Sequence, residues 1–166
     1  ASKAYAMTGW RLGYSYSDPA VARELASLQS QITSNAASAS QYAALAAYSE
    51  GNRAKEAIRA MVRVFLQRRD KVVAQLATDL PKAVPSVPDG AFFIFLRVDA
   101  YYDKELNSSS AFCTWLLDQT GVALVPGSAF GDDRFVRLSL AAPNAALAEA
   151  VRRAGDVLAS RVPVSV

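Results

Sequence analysis

Three cationic side chains carry the clearest chemical signal in this sequence. Lys3 and Arg11 stand eight residues apart in Ser2-Lys3-Ala4-Tyr5-Ala6-Met7-Thr8-Gly9-Trp10-Arg11-Leu12-Gly13, and Arg137 interrupts the run Phe135-Val136-Arg137-Leu138-Ser139. A lysine amine becomes a nucleophile and a base when desolvation or neighbouring cations lower its pKa. An arginine offers a planar fork of N–H donors that matches phosphate or carboxylate oxygens. Gly9 suits a tight turn between the first two. Arg137 falls in an apolar strand pattern, where an inward charge needs a partner such as a carboxylate. Each also has a plainer reading: a surface lysine, an arginine capping a carboxylate, and an outward-facing strand arginine.

Composition removes competing chemistries. The chain has no histidine, which excludes Ser-His-Asp, Cys-His and histidine-metal sites within it, and no metal site is expected. The single cysteine, Cys113, cannot form an internal disulfide or a thiolate cluster. It fits a reducing, cytoplasmic compartment, and within Phe112-Cys113-Thr114-Trp115 it reads as a small core residue. The 166 residues are 52% hydrophobic and 20% charged, with a net charge of +3. That is an ordinary globular composition with no argument for a nucleic-acid or membrane partner, and no apolar run reaches the ~20 residues of a membrane span.

The surrounding pattern gives the elements that must position these side chains. Residues 10–17 alternate and are rich in aromatics, which predicts a strand. Asp18-Pro19 then opens a helix whose stripe is Val21, Leu25, Leu28 and Ile32. A second helix is expected at about 39–50, closing at Gly51. Asn52 is expected to cap a long helix that ends before Pro81, with Ile58, Val62, Phe65, Val72, Leu76 and Leu80 as its apolar stripe. Its basic run (Arg53, Lys55, Arg59, Arg63, Arg68, Arg69 and Lys71) reads as a solvated face. Residues 81–88 read as a connector and 92–96 as a buried strand. Serines 108–110 introduce a helix stopping at Gly121. Residues 122–125 and 135–140 read as short strands, and Asn144 as the cap of a closing helix. Strands interleaved with helices give an α/β or α+β class.

The segment from Ser2 to Gly13 resembles the cofactor-attachment signature of class I and II aminotransferases of fold type I. Thr33-Ser34-Asn35 with Gln41-Tyr42-Ala43-Ala44-Leu45 is similar to the prokaryotic aspartate aminotransferase branch. Arg68-Arg69-Asp70, Pro88-Asp89-Gly90-Ala91-Phe92, Val125-Pro126-Gly127-Ser128-Ala129-Phe130-Gly131 and Phe135-Val136-Arg137-Leu138-Ser139 resemble later family blocks, in order. The resemblance covers nearly the whole chain and implies the C-terminal part of a longer protein. It implies an α/β fold: residues 1–52 end a large cofactor-binding domain with a mostly parallel sheet, and residues 53–166 form a small α/β domain.

The resemblance also implies chemistry. Pyridoxal 5'-phosphate would be held by Lys3 as a Schiff base, with the freed amine later carrying a proton between the substrate α-carbon and the cofactor. Arg11 would bind the cofactor phosphate, and Arg137 would grip the substrate α-carboxylate. Ser34 and Asn35 would lie toward a partner subunit in a homodimer, and Val125-Pro126-Gly127 would shape a loop near the substrate. Phe93 stands where many relatives carry tyrosine. The family's ring-nitrogen acid, its phosphate-binding serine and its distal-carboxylate reader are expected upstream of residue 1. The implied activity is amino-group transfer between an L-amino acid, aspartate first, and a 2-oxo acid. The alternatives are an aromatic or alanine aminotransferase, a lyase of the same fold, an aminotransferase-like sensor domain of a transcription regulator, or an inactive fragment.

Overall fold

The computed structural model describes residues 1–161, and the chain divides into two units, Ala1–Val62 and Arg63–Val166. In the first, the Asp18 side chain accepts the Ala20 N–H at 2.8 Å and Pro19 occupies the first turn of α1 (Pro19–Ile32). This is the start that Asp18-Pro19 predicts, since proline lacks only an N–H that the first turn would leave unpaired. Helix α2 spans Ser38–Ser49 and α3 spans Gly51–Asp79, running into the second unit. Gly51 follows the α2 C-cap Glu50 in the left-handed conformation, with φ at +43°, and so closes α2 as the sequence predicts. It is also the first residue of α3, so Asn52 lies inside the first turn of α3 rather than capping it.

The strand expected at 10–17 does not form. Thr8–Trp10 is a 3-10 turn, residues 11–18 have no regular structure, and every described strand lies in the second unit. Alternation specifies two faces, but a strand also needs a neighbour to satisfy its ladder hydrogen bonds. Likewise, no strand of the mostly parallel sheet implied for a large domain occurs among the described residues of the first unit.

The second unit holds a four-stranded antiparallel sheet in the order β1-β2-β4-β3, with β1 at Val84–Ser86, β2 at Phe93–Arg97, β3 at Val125–Pro126 and β4 at Phe135–Ser139. β1 arises inside the expected connector because an edge strand tolerates Pro85. The strand expected at 122–125 shrinks to two residues. Helix α4 (Ser109–Thr120) is capped by the Ser108 side chain, which accepts the Ala111 N–H, and ends at left-handed Gly121, as read from sequence. Helix α5 (Asn144–Ser160) starts at Asn144 with no side-chain cap, so Asn144 is its first residue and not its cap.

Strand alternation sorts the sheet into two faces. Ile94, Leu96, Val136 and Leu138 are buried with Val72 and Leu76 of α3, Phe112 and Leu116 of α4, and Leu147, Val151 and Leu158 of α5. Phe93, Phe95, Phe135 and Arg137 occupy the opposite, half-buried face. Helix packing is close: a β-carbon on Gly155 of α5 would lie 2.7 Å from the Asp79 carbonyl oxygen at the end of α3. The basic face of α3 is not uniformly solvated. Half-buried Arg68 donates to the Leu140 carbonyl at 3.1 Å and Arg69 to that of Pro88 at 2.9 Å, so both guanidinium groups tie the helix to the ends of the sheet.

Candidate active site

Lys3 sits in a turn, where Ala6 N–H donates to the Lys3 carbonyl at 3.2 Å. Its side chain is exposed and has no hydrogen bond or ion pair among the described residues. Buried Met7 anchors the segment, and the Ser40 hydroxyl of α2 donates to the Trp10 carbonyl at 2.7 Å. Ser40 is itself buried, so this bond fixes the backbone just ahead of Arg11.

Arg11 closes the Thr8–Trp10 turn in the left-handed region, with φ at 50° and ψ at 51°. Its Nη1 donates to the Thr8 carbonyl at 3.1 Å, and no carboxylate pairs with it among the described residues. Most of its donors are therefore left for an outside anion. The glycine expected to make the turn, Gly9, has no positive φ, so the strained residue is Arg11 itself. Strain at a residue that could bind an anion is a common mark of a site.

Around this segment runs an open groove of about 1490 Å³ lined by Arg11, Tyr14, Leu25, Asn35 and Tyr48, among others. Ser34 lies in the turn between α1 and α2 with φ at +62°, and both Ser34 and Asn35 are exposed. Tyr48 packs edge-on against Tyr5 and Tyr14, with ring centroids at 4.9 and 5.6 Å. Burial of the Tyr48 hydroxyl, then its hydrogen bond with Tyr14, raise its pKa. The sequence carried no periodic signal for this cluster, because its members come from three separate segments.

Arg137 belongs to the second unit. It is not inward-facing, as its apolar strand suggested, but lies on the sheet face opposite the core, half-buried. Phe95 and Val125 flank it across β2 and β3. Its guanidinium carbon is 4.2 Å from the Phe93 ring centroid and 4.4 Å from that of Phe130. Ring faces stabilise a partly desolvated cation without consuming its N–H donors. No carboxylate pairs with Arg137 among the described residues. The Phe130 contact was not legible in sequence, since the ring arrives from the 3-10 turn Gly127–Phe130 that follows β3.

That turn is firmly seated. The Ser128 N–H donates to the Ser109 hydroxyl at 3.2 Å, and Ser109, fully buried, donates from its N–H and hydroxyl to Asp133 Oδ1 at 3.0 and 2.6 Å. A carboxylate at the α4 N-terminus also meets the positive end of the helix dipole. Nearby, hydrogen bonds from Arg134 hold the Asp132 carboxyl down at about 2. Cys113 is buried, and desolvation pushes its thiol up to about 11, consistent with a core side chain.

The family model for aminotransferase class I and II matches residues 1–154. The chain is 42% identical, over 98% of its length, to the bifunctional aspartate aminotransferase and glutamate/aspartate-prephenate aminotransferase of Petunia hybrida. It is 41% identical over 92% of its length to a probable aspartate/prephenate aminotransferase of Aquifex aeolicus. It spans 35% and 38% of those two proteins. Among solved structures, the aspartate aminotransferase of Thermotoga maritima is similar over 96% of this chain and 38% of its own, with a TM-score of 0.80 and 39% identity.

Proposed function

The chain belongs to the class I and II aminotransferase family, which uses pyridoxal phosphate, and from that premise we propose that the protein carrying it transfers an amino group between an L-amino acid and a 2-oxo acid. Aspartate is the favoured amino donor, in keeping with the names of the Petunia and Thermotoga relatives. The observation that carries the reading is Arg137: a half-buried guanidinium in contact with two aromatic rings, with no carboxylate pairing to it among the described residues. Such a cation suits a substrate carboxylate in a bidentate fork.

The residues present fit the cofactor. Lys3 offers an unpaired amine, and Arg11 a guanidinium with donors to spare on a backbone fixed by Ser40. Lys3 would hold the cofactor and Arg11 its phosphate. When bound, pyridoxal phosphate supplies an aldehyde for the substrate amine and a ring that accepts electrons from the α-carbon. Lys3 Nζ, once released, would take the α-proton and return it during transfer. Arg137 would bind the substrate α-carboxylate in a fixed orientation. In domain terms, residues 1–52 would end the cofactor-binding domain and 53–166 would form the small domain. The protein would act in the cytoplasm as a homodimer, with Ser34 and Asn35 toward the partner.

A panel of amino donors tests the reading in the full-length protein, with 2-oxoglutarate as acceptor. Turnover of aspartate above alanine and phenylalanine is the expected result. Cofactor binding without turnover of any donor would overturn it in favour of a sensor role.

A further inference from the structure

We propose that Phe130, together with Phe93, is a positioning residue that holds the Arg137 guanidinium in one plane and leaves its donor edge open for a carboxylate. This rests on the reading that Arg137 binds the substrate carboxylate. The two rings reach Arg137 from opposite sides of β4. Phe93 is on β2, one neighbour, and Phe130 is on the turn after β3, the other. Their centroids lie 4.2 and 4.4 Å from the guanidinium carbon. All five guanidinium N–H groups point outward in the plane of the group, so rings against it restrain rotation without blocking them.

Phe130 is 49% exposed and lies outside the core cluster, so its contacts are not those of core packing. Its ring partners are Arg137 and Phe95, the latter in a T-shaped pair with centroids 6.1 Å apart, and Phe95 in turn stacks on Phe135 at 4.6 Å. The ring is thus packed on Phe95 and carried by a turn bound to buried Ser109. A guanidinium already held in place loses less freedom when a carboxylate arrives, which favours binding of every substrate sharing that group. The same contact serves ground state and transition state alike, so its loss should appear in KM more than in kcat.

The test compares Phe130→Leu, Phe130→Ala and Phe130→Tyr in the full-length holoenzyme, beside Arg137→Ala. Leucine fills the space without a ring face, and tyrosine keeps the face. Leu and Ala should raise KM for amino acid and 2-oxo acid by about three- to tenfold, with kcat changed less than about twofold. Tyr should stay near the parent values. Calorimetric binding of maleate, an unreactive dicarboxylate, should weaken by the same factor in the leucine variant. If Phe130→Ala does not fold, the leucine–tyrosine pair decides. Parent-like KM and maleate binding in Phe130→Leu, with binding lost in Arg137→Ala, would overturn the positioning role and leave the carboxylate reading intact. Unchanged constants in Arg137→Ala would remove both. A fall in kcat at constant KM would also overturn the proposal.

Discussion

The α-carbon of Gly127 lies so close to the Phe135 carbonyl that a β-carbon there would stand 2.2 Å from the oxygen, and 2.3 Å from that of Asp132. Backbone atoms cannot swing aside as a side chain can. Gly127→Ala should therefore lift the turn that carries Phe130, costing about 1–3 kcal/mol of stability. Urea denaturation of the variant checks the cost. A midpoint equal to that of the parent would mean that this close approach does not exist in solution.

Lys3→Ala should abolish cofactor fixed to the full-length protein by borohydride, along with nearly all transamination. Lys3 lies in the attachment segment with an amine that no other side chain engages. Peptide mapping after reduction of the parent protein is the direct check, and label on any other lysine would move the assignment.

Arg137→Ala should lower kcat/KM for amino and oxo acids alike, by about 2–4 kcal/mol, because both share the α-carboxylate. Arg137→Lys should restore only part, since an ammonium lacks the planar fork and the flat face that meets Phe93 and Phe130. Equal rates for the lysine variant and the parent would argue against bidentate binding.

Acid should weaken the second unit through Glu149. Hydrogen bonds from Arg152, then Arg153, hold its carboxyl at about 2 against an ordinary 4.5. A carboxyl depressed by folding contributes stability that is present above its unfolded value and is lost as the pH falls through the folded one. The loss therefore belongs between about pH 4.5 and pH 2. Asp132, bound by Arg134 and also held at about 2, acts in the same window from 3.8 downward. Glu149→Gln should flatten, without abolishing, the decline of Tm across that range. An acid limb identical to that of the parent would discount the pair.

Purified alone, the 166-residue chain should self-associate and turn over no aspartate. The stripe Val21, Leu25, Leu28 and Ile32 is between 43% and 68% exposed, and Tyr16 is 99% exposed. Apolar surface of that kind drives association. Sedimentation at rising concentration is the check. A monodisperse, active monomer would contradict both expectations.

The sequence by itself determined the helices and the residues that could do chemistry. The start of α1 at Asp18-Pro19, the arrest of α4 at Gly121 and the buried Val72 and Leu76 of the α3 stripe are local matters, settled by capping chemistry and a 3.6-residue period. Lys3 and Arg11 stand out as candidates in the sequence because they share one short segment. Tertiary structure decided what depends on partners distant in the chain. Residues 10–17 alternate like a strand yet have no ladder, while 84–86 became one because Arg97, Leu96 and Phe95 stood opposite. Arg68 and Arg69 left the solvated face because carbonyls of Leu140 and Pro88 came within reach. Arg137 reads from sequence as a charge within an apolar strand. Only the pairing of β4 between β2 and β3 turned it away from the core and brought two phenyl rings to it. Caps and periods act within a few residues of chain, whereas strand faces, ring contacts and long-range hydrogen bonds exist only once the chain has closed on itself.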